Sequence, residues 1–219
     1  MSTGAGVLSR AVESASRTEL ATSRARSGAN LRVAAPPEII SLARQAFFPS
    51  EAPARQRVLF VSADEETNVV GVAEQVARAL AGMQKTVSLV ERHKETDGLP
   101  AKKPSMAVRN VEYWAGFQVA ENFWRIPSSM LGVTSARNSN TFGDLPFDCV
   151  VLASSIGDAI TPLFLEISDG AVLTITAHKT HREAALRAKQ VLEQFKVKLI
   201  GTVLDGRTFP IPESIYRRL

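Results

Sequence analysis

The sequence predicts an α/β fold, a three-layer sandwich in which helices cover both faces of a mainly parallel sheet. The first observation is Arg57–Glu91, where an apolar run, an acidic loop, an amphipathic helical pattern and a second apolar run follow one another. This order forms a βαβ unit, whose crossover is almost always right-handed. The second observation is that three further apolar runs, Phe147–Ala153, Gly170–Ala177 and Val197–Leu204, alternate with helical patterns.

The βαβ unit is predicted from its residue types. Arg57–Ala63 is rich in β-branched and aromatic residues, which indicates a buried strand. A helix follows from Val69, because apolar residues recur on one face as far as Leu80, and Gly82 suits its C-terminus. Thr86–Glu91 is the second strand.

The segments before and after this unit are predicted from turn residues and apolar periodicity. A helix begins at Pro36-Pro37, a favoured first turn, and the prolines that follow Phe47 end it. Asn110–Ala115 alternates like a strand, and Phe117–Ile126 fits either a short helix or a returning hairpin strand. Ser128–Pro146 is predicted as a loop with one helical turn near Met130 and Leu131.

The last third of the chain contains two further predicted helices and a terminal segment. Asp158–Ile167 carries apolar residues on one side, and Thr180–Glu183 matches a capping box that opens the next helix. The proline-broken segment Arg207–Leu219 is predicted to include a short terminal helix.

Composition limits the class of protein. The chain has 219 residues, of which 45% are hydrophobic and 22% are charged, as in ordinary globular domains. The single cysteine, Cys149, excludes a disulfide framework and a zinc cluster, and its apolar strand indicates a buried, inert thiol in a reducing cytoplasm. No apolar run is long enough for a membrane span, and the N-terminus lacks the hydrophobic core of a signal peptide.

Positive charge is concentrated at the N-terminus. Residues 1–35 contain five arginines and two glutamates, so most of the net charge of +4 lies there. We predict a disordered basic arm that contacts acidic lipids or a partner; its composition also resembles that of an organelle transit peptide. The remainder is nearly neutral and has no basic stripe interleaved with aromatics, which argues against nucleic-acid binding.

The loop after the first strand is compared with the phosphate-binding loop G-x-x-x-x-G-K-[ST], in which backbone N–H groups and a lysine contact the phosphates. Here the aligned positions run from Ala63 to Val70: Asn68 replaces the second glycine, Val69 the lysine and Val70 the hydroxyl. The carboxylates of residues 64–66 are expected to satisfy the helix N-terminus themselves and to repel a triphosphate. The sequence therefore predicts that this loop does not hold ATP in the usual way.

The order of these elements resembles the cytoplasmic domain of bacterial tyrosine autokinases, which control capsule and exopolysaccharide synthesis. The resemblance covers residues 36–219 and includes the phrases Ser168-Asp169-Gly170 and Gly201-Thr202-Val203-Leu204. It implies a P-loop NTPase-like domain over 36–219, related to division-site and chromosome-partitioning ATPases.

The resemblance also implies where catalytic residues belong, and those positions are replaced. The second acidic motif falls on Glu91, Arg92 and His93, where one carboxylate is kept and a cation follows it. The third motif, a strand ending in a magnesium-organising Asp, places Ala153 at that Asp, followed by Ser154. Phosphoryl transfer needs the metal and the cationic cradle together, so these losses predict a catalytically inactive relative with no cofactor.

Two regulatory features of the bacterial tyrosine autokinases that the sequence resembles are partly present. The oligomer-forming E-x-x-R-x-x-R of its first helix is reduced to Glu38 and Arg44, which suit contact with a neighbour or an ordinary solvated face. The tyrosine-rich C-terminus is reduced to Tyr216, either a surface or packing residue or a phosphoacceptor.

The sequence gives less support for a hydrolytic serine or for a metal site. Ser154-Ser155 with His178 and His181 could suggest hydrolysis, but no G-x-S-x-G elbow surrounds a serine. We expect the two histidines to serve capping or to lie in solvent. Three scattered histidines and one cysteine give no metal-ligand spacing.

These observations lead to one hypothesis and two alternatives. The chain is predicted to be a non-catalytic, cytoplasmic protein of bacterial exopolysaccharide synthesis or export that docks with itself or with an inner-membrane chain-length regulator or active kinase. The first alternative is a divergent ATPase or tyrosine kinase that uses ATP and Mg²⁺ and regulates chain length. The second is a partitioning-type adaptor that binds a membrane through residues 1–35.

Overall fold

A computed structural model describes residues 35–92, 116–128 and 147–206. The predictions for the arm at 1–34, for Asn110–Ala115, for the turn near Met130, for His93 and for the terminal segment with Tyr216 lie outside these residues.

The described residues form four helices and seven strands. The helices are α1 (Pro37–Phe47), α2 (Val69–Gly82), α3 (Thr161–Ile167) and α4 (Arg182–Gln194). The strands are β1 (Arg57–Ser62), β2 (Val87–Glu91), β3 (Phe117–Ala120), β4 (Phe123–Pro127), β5 (Cys149–Ser155), β6 (Gly170–Thr176) and β7 (Leu199–Asp205).

The strands form one sheet in the order β3-β4-β2-β5-β1-β6-β7. All neighbouring strands are parallel except β3 and β4, which form an antiparallel hairpin. Strand β1 lies between β5 and β6. The prediction of an α/β fold with a mainly parallel sheet is confirmed.

Two hydrophobic cores lie on opposite faces of the sheet, because successive strand side chains point to opposite sides. Phe60 packs in the core under α1 and α2, together with Phe47 and Val76. Leu59, its neighbour, packs in the core under α3 and α4, together with Phe164 and Leu192. Helices on both faces make the three layers that the sequence predicts.

The structure decides the one ambiguous segment and corrects some boundaries. Residues 117–127 form a hairpin, not a helix, with Asn122 at φ 61° in its turn. Helix α3 begins at Thr161 instead of Asp158, because the carbonyl of Asp158 accepts the Thr161 N–H in a preceding turn. Gly82 ends α2 as predicted, but the left-handed residue that reverses the chain is Gln84, at φ 62°.

Within the described ranges, no helix is long and apolar enough to cross a bilayer.

Phe60 provides a test of the central core, since its side chain is 0% exposed. We expect Phe60→Ala to lower the free energy of unfolding by about 3–5 kcal/mol, because it removes buried apolar area and leaves a cavity in the core between β1 and the helices that cover it. Guanidinium unfolding followed by circular dichroism measures it. Leu186→Ala on α4 is the control: this leucine is 48% exposed, and its loss should change stability by no more than about 0.5 kcal/mol. Equal effects of the two substitutions would contradict this description of the core.

Candidate functional site

The candidate site lies where the parallel strands end. The carboxyl ends of β1, β2, β5 and β6 meet at one edge, which is where open α/β sheets bind ligands. The loop from β1 to α2 (residues 63–68) and the loop from β6 to α4 (residues 177–181) approach each other there.

Asp64 connects these two loops. Its Oδ1 accepts hydrogen bonds from the Thr67 N–H at 2.8 Å and from the Thr67 hydroxyl at 2.7 Å. Its Oδ2 accepts the Thr180 hydroxyl at 2.6 Å. The carboxylate thus binds donors from its own loop and from a residue 116 positions later.

Thr176, at the end of β6, extends this cluster. Its N–H donates to the Thr180 hydroxyl at 2.9 Å, and its own hydroxyl bonds the Thr67 hydroxyl at 3.1 Å. We call Asp64, Thr67, Thr176 and Thr180 the Asp64 cluster. The predicted capping box at Thr180 is wrong, because the N-cap residue of α4 is His181, which makes no side-chain capping bond. The Thr180 hydroxyl bonds Asp64 and the Thr176 N–H instead.

The Asp64 cluster favours an ionised carboxylate. Partial burial opposes ionisation, but the hydrogen bonds from Thr180 and Thr67 outweigh it and lower the pKa of Asp64 below its ordinary value of 3.8. The loop therefore contains a negative charge that belongs to the protein itself.

The N-terminus of α2 is capped by a residue that the sequence analysis did not identify as a cap. Asn68 Oδ1 accepts the Gly71 N–H at 3.0 Å, and no acidic residue lies in the first turn. The expectation that the carboxylates of residues 64–66 satisfy the helix is therefore wrong. Gly71 permits this cap, since a Cβ there would lie 2.5 Å from the Asn68 amide nitrogen. The signal in the sequence was an N-cap asparagine before an apolar helix.

The two positions that the sequence analysis aligns with the lysine and hydroxyl of a phosphate-binding loop belong to the core. Val69, the first residue of α2, is buried, and Val70 packs against the same core while half-buried. Glu65 and Glu66 are exposed.

The acidic motif at the end of β2 is balanced by arginines. Glu91 is 5% exposed, and its Oε1 accepts a hydrogen bond from Arg125 Nε on β4 at 2.7 Å. Arg125 also lies 3.8 Å from Glu74 on α2. The next residue, Arg92, pairs with Asp158, whose other oxygen accepts the Ser155 N–H at 2.9 Å.

Ala153, which the sequence analysis aligns with a magnesium-organising aspartate, has no charged side chain. Ala153 is buried beside Glu91 and Phe60 in the sheet register. The hydroxyls of Ser154 and Ser155 are buried and make no hydrogen bond within the described residues. No group of three or more His, Cys, Asp or Glu side chains is placed to bind a metal in the described part of the chain.

The remaining predicted residues lie away from this edge. Glu38 and Arg44 are exposed on α1. Cys149 is buried in β5, and burial, with the nearby negative charge of Asp148, raises its pKa to about 11. Such a thiol is inert, as predicted.

Asp64→Asn tests the cluster. An amide keeps the shape of the side chain but accepts through one oxygen only, so we expect a loss of about 2 kcal/mol in the free energy of unfolding near neutral pH. Folding lowers the pKa of Asp64 below its ordinary value of 3.8. The stability that the ionised carboxylate contributes is therefore fully present at pH values above 3.8, and it is lost as the pH falls through the lower pKa of the folded state. The difference between wild type and variant should therefore shrink under acid.

Glu65→Gln is the matched control, because this side chain is exposed in the same loop. Urea unfolding curves measured from neutral pH to about pH 3 give both comparisons. A difference for Asp64→Asn that grows on acidification would refute the ionised cluster.

Solved structures show the same fold at low sequence identity. The chimeric protein CapA2B2 matches with a TM-score of 0.57 and 15% identity, over 79% of this chain and 86% of that one. The kinase domain of the Escherichia coli tyrosine kinase ETK matches with a TM-score of 0.50 and 12% identity, over 71% of each chain. A putative plasmid partition protein from Borrelia burgdorferi B31, bound to AMPPNP, matches with a TM-score of 0.52 and 14% identity, over 75% of this chain and 82% of that one.

No protein-family model matches the sequence, and no curated protein matches it. At these identities the likeness establishes the fold alone. The chain has the P-loop NTPase-like α/β fold that bacterial tyrosine kinase domains share with plasmid partition proteins.

Proposed function

We propose that this chain is a non-catalytic, kinase-like protein of bacterial exopolysaccharide synthesis or export, which acts by docking. The observation that carries the proposal is the Asp64 cluster, in which a resident carboxylate accepts hydrogen bonds from Thr67 and Thr180 in the loop region where a phosphate would bind. The fold supports a relation to kinases and ATPases. The polysaccharide context rests on the sequence resemblance described above.

The phosphate side of the site is unsuited to ATP for two reasons. A γ-phosphate near the ionised Asp64 would meet a like charge, and such a contact at about 4 Å costs on the order of 4 kcal/mol with the screening typical of a protein surface. The lysine that would offset this charge is replaced by Val69, which is buried in the core. The first-turn donor at Gly71 is already bonded to Asn68.

The metal side of the site is equally unsuited. Mg²⁺ is bound through carboxylate and phosphate oxygens. Glu91 pairs with Arg125 across the sheet, and Ala153 offers no ligand. The cation beside Asp158 is Arg92. Phosphoryl transfer depends almost entirely on a positioned metal and cationic cradle, so a site without either does not catalyse it.

The partner is a second copy of the chain, an inner-membrane chain-length regulator or an active kinase. Exposed Glu38 and Arg44 on α1 are residues for such a contact. Docking of this kind would place the protein at the inner face of the plasma membrane through its partner.

A second candidate is a divergent ATPase or tyrosine kinase that regulates polysaccharide chain length. The fold favours it, as does Glu91, a carboxylate kept at the acidic motif. Under this alternative the arginine pair at Glu91 opens when Mg²⁺-ATP binds.

Nucleotide binding separates the two candidates. We expect no heat of binding when the full chain is titrated with ATP and Mg²⁺ to millimolar concentration, because the loop is filled by the Asp64 cluster. Isothermal titration calorimetry makes the measurement.

A plasmid partition protein of the kind that binds AMPPNP is the positive control in the same buffer. Micromolar, Mg²⁺-dependent binding that Glu91→Gln abolishes would establish the alternative and remove the proposal.

Genetic complementation tests the docking role. We expect deletion of the gene to lower secreted exopolysaccharide, and the Glu91→Gln chain to restore it fully, since docking does not use this carboxylate. Secreted sugar is assayed together with the abundance of the variant protein, because Glu91 also pairs with Arg125. A stable Glu91→Gln chain that fails to restore secretion would favour catalysis instead.

A further inference from the structure

Helix α4 covers the sheet with its apolar side and leaves its other side in solvent. Ala188 and Leu192 are 0% and 1% exposed, and both pack in the core that contains Leu59 of the central strand. The residues on the opposite side of the helix, from Arg182 to Gln194, are exposed. We call this opposite side the outward face of α4.

Positive charge is concentrated on this face and on the turns at the two ends of the helix. Residues 178–198 contain six lysines and arginines but two glutamates, and all eight side chains belong to exposed residues. In the part of the chain that the structure describes, Lys189 is the one cation of the six in an ion pair, at 3.6 Å from Glu193. Both side chains of that pair are more than half exposed, so the pair contributes little. The cations are Lys179, Arg182, Arg187, Lys189, Lys196 and Lys198.

The rest of the described residues have the opposite balance of charge. They contain thirteen aspartates and glutamates against seven lysines and arginines. Helix α3, which lies on the same face of the sheet as α4, adds one exposed carboxylate, that of Glu166. Exposed Glu65 and Glu66 add two more in the loop before α2. A cationic helix on an otherwise acidic surface orients a protein toward an anionic partner, because the remaining faces are repelled.

An exposed leucine lies among these cations. Leu186 is 48% exposed, and its spacing of four and three residues from Arg182 and Lys189 puts it on the same side of the helix. Phe195, at the C-terminal end of α4, is 45% exposed. Nucleic-acid phosphates are contacted by lysine and arginine and have no use for an aliphatic side chain between them. A bilayer surface offers both anionic headgroups and, beneath them, hydrocarbon.

We propose that the outward face of α4 binds the surface of a membrane that contains anionic lipids, with the helix axis parallel to the bilayer. Arg182, Arg187 and Lys189 contact the headgroups, and Leu186 reaches the boundary of the acyl chains. The proposed function brings the chain to the membrane through a protein partner, and the adaptor alternative does so through residues 1–35. This contact is a different one, and it does not depend on docking or on nucleotide.

Flotation of the full chain with lipid vesicles tests the contact. Vesicles of phosphatidylcholine with about one third phosphatidylglycerol, which is anionic, are compared with vesicles of phosphatidylcholine alone. We expect binding to the anionic vesicles only. The binding should weaken as salt is added, because salt screens the attraction between exposed charges.

Two double substitutions that remove the same charge separate α4 from the other cations of the chain. Arg182→Gln with Arg187→Gln should weaken binding to anionic vesicles about 25-fold, since each lysine or arginine near an anionic surface contributes about fivefold. Arg78→Gln with Lys85→Gln is the matched control, because these cations lie on α2 and in the turn after it. Binding by the control should be nearly unchanged.

A second pair tests the leucine without changing the charge. Leu186→Ala should weaken binding to anionic vesicles about fivefold, because less apolar area enters the interface. Val119→Ala is its control: this valine is 37% exposed on β3, at the far edge of the sheet, and its loss should not affect binding. Melting curves followed by circular dichroism establish that each variant is folded.

Four results would overturn the proposal. The first is no binding to anionic vesicles, or equal binding to both kinds of vesicle. The second is binding that survives the double substitution on α4, which would assign the contact to another part of the chain. The third is a Leu186→Ala chain that binds as the wild type does. The fourth is binding to duplex DNA that requires Arg182 and Arg187 while vesicles are not bound, which would assign the outward face to nucleic acid.

Discussion

The structure of the candidate site depends on one ionised carboxylate, that of Asp64, which accepts hydrogen bonds from three donors. Asp64 sits in the loop after the central strand β1 and binds Thr67 within that loop and Thr180 in the loop after β6. A carboxylate with several donors is stabilised in its charged form, and its bonds are stronger than those between neutral groups. A loop that binds phosphate needs free backbone N–H groups, whereas in this loop the Thr67 N–H donates to Asp64 and the Val69 N–H donates to the Thr67 carbonyl. One residue therefore both stabilises the carboxyl edge of the sheet and disfavours an anionic ligand there.

Glu91 and Arg92, at the end of β2, also form ion pairs that stabilise the carboxyl edge of the sheet. Glu91 is nearly buried, and such a carboxylate is stable only when a cation compensates it, which Arg125 does from the neighbouring strand. Arg92 and Asp158 pair across the same edge. The carboxylates of Glu91 and Asp158 are thus each paired with an arginine within the protein, whereas Asp64 is stabilised by neutral donors.

The fold was predictable from the sequence because the buried strands are apolar runs and α2 has a clear apolar stripe, which are local patterns. The sequence does not distinguish a helix from the hairpin that residues 117–127 form, since a short run of mixed residues fits both. The site was only partly predictable. The sequence drew attention to the loop at 63–70 and to Glu91, but Thr180 and Arg125, which bind Asp64 and Glu91, lie 116 and 34 positions away, and no local pattern reveals such contacts. For the same reason Thr180 was assigned to a capping box, although its hydroxyl binds Asp64.

These roles oppose the residues that a phosphate-binding loop or a magnesium site would have at positions 69, 68 and 153. A lysine at position 69 would replace a buried valine and place an ammonium group in an apolar core, where a charge is strongly disfavoured without a partner. A glycine at position 68 would remove the cap of α2, whose close approach Gly71 accommodates. An aspartate at position 153 would stand beside buried Glu91 and add a second negative charge next to the Glu91–Arg125 pair. Each of these changes opposes an interaction that stabilises the carboxyl edge of the sheet.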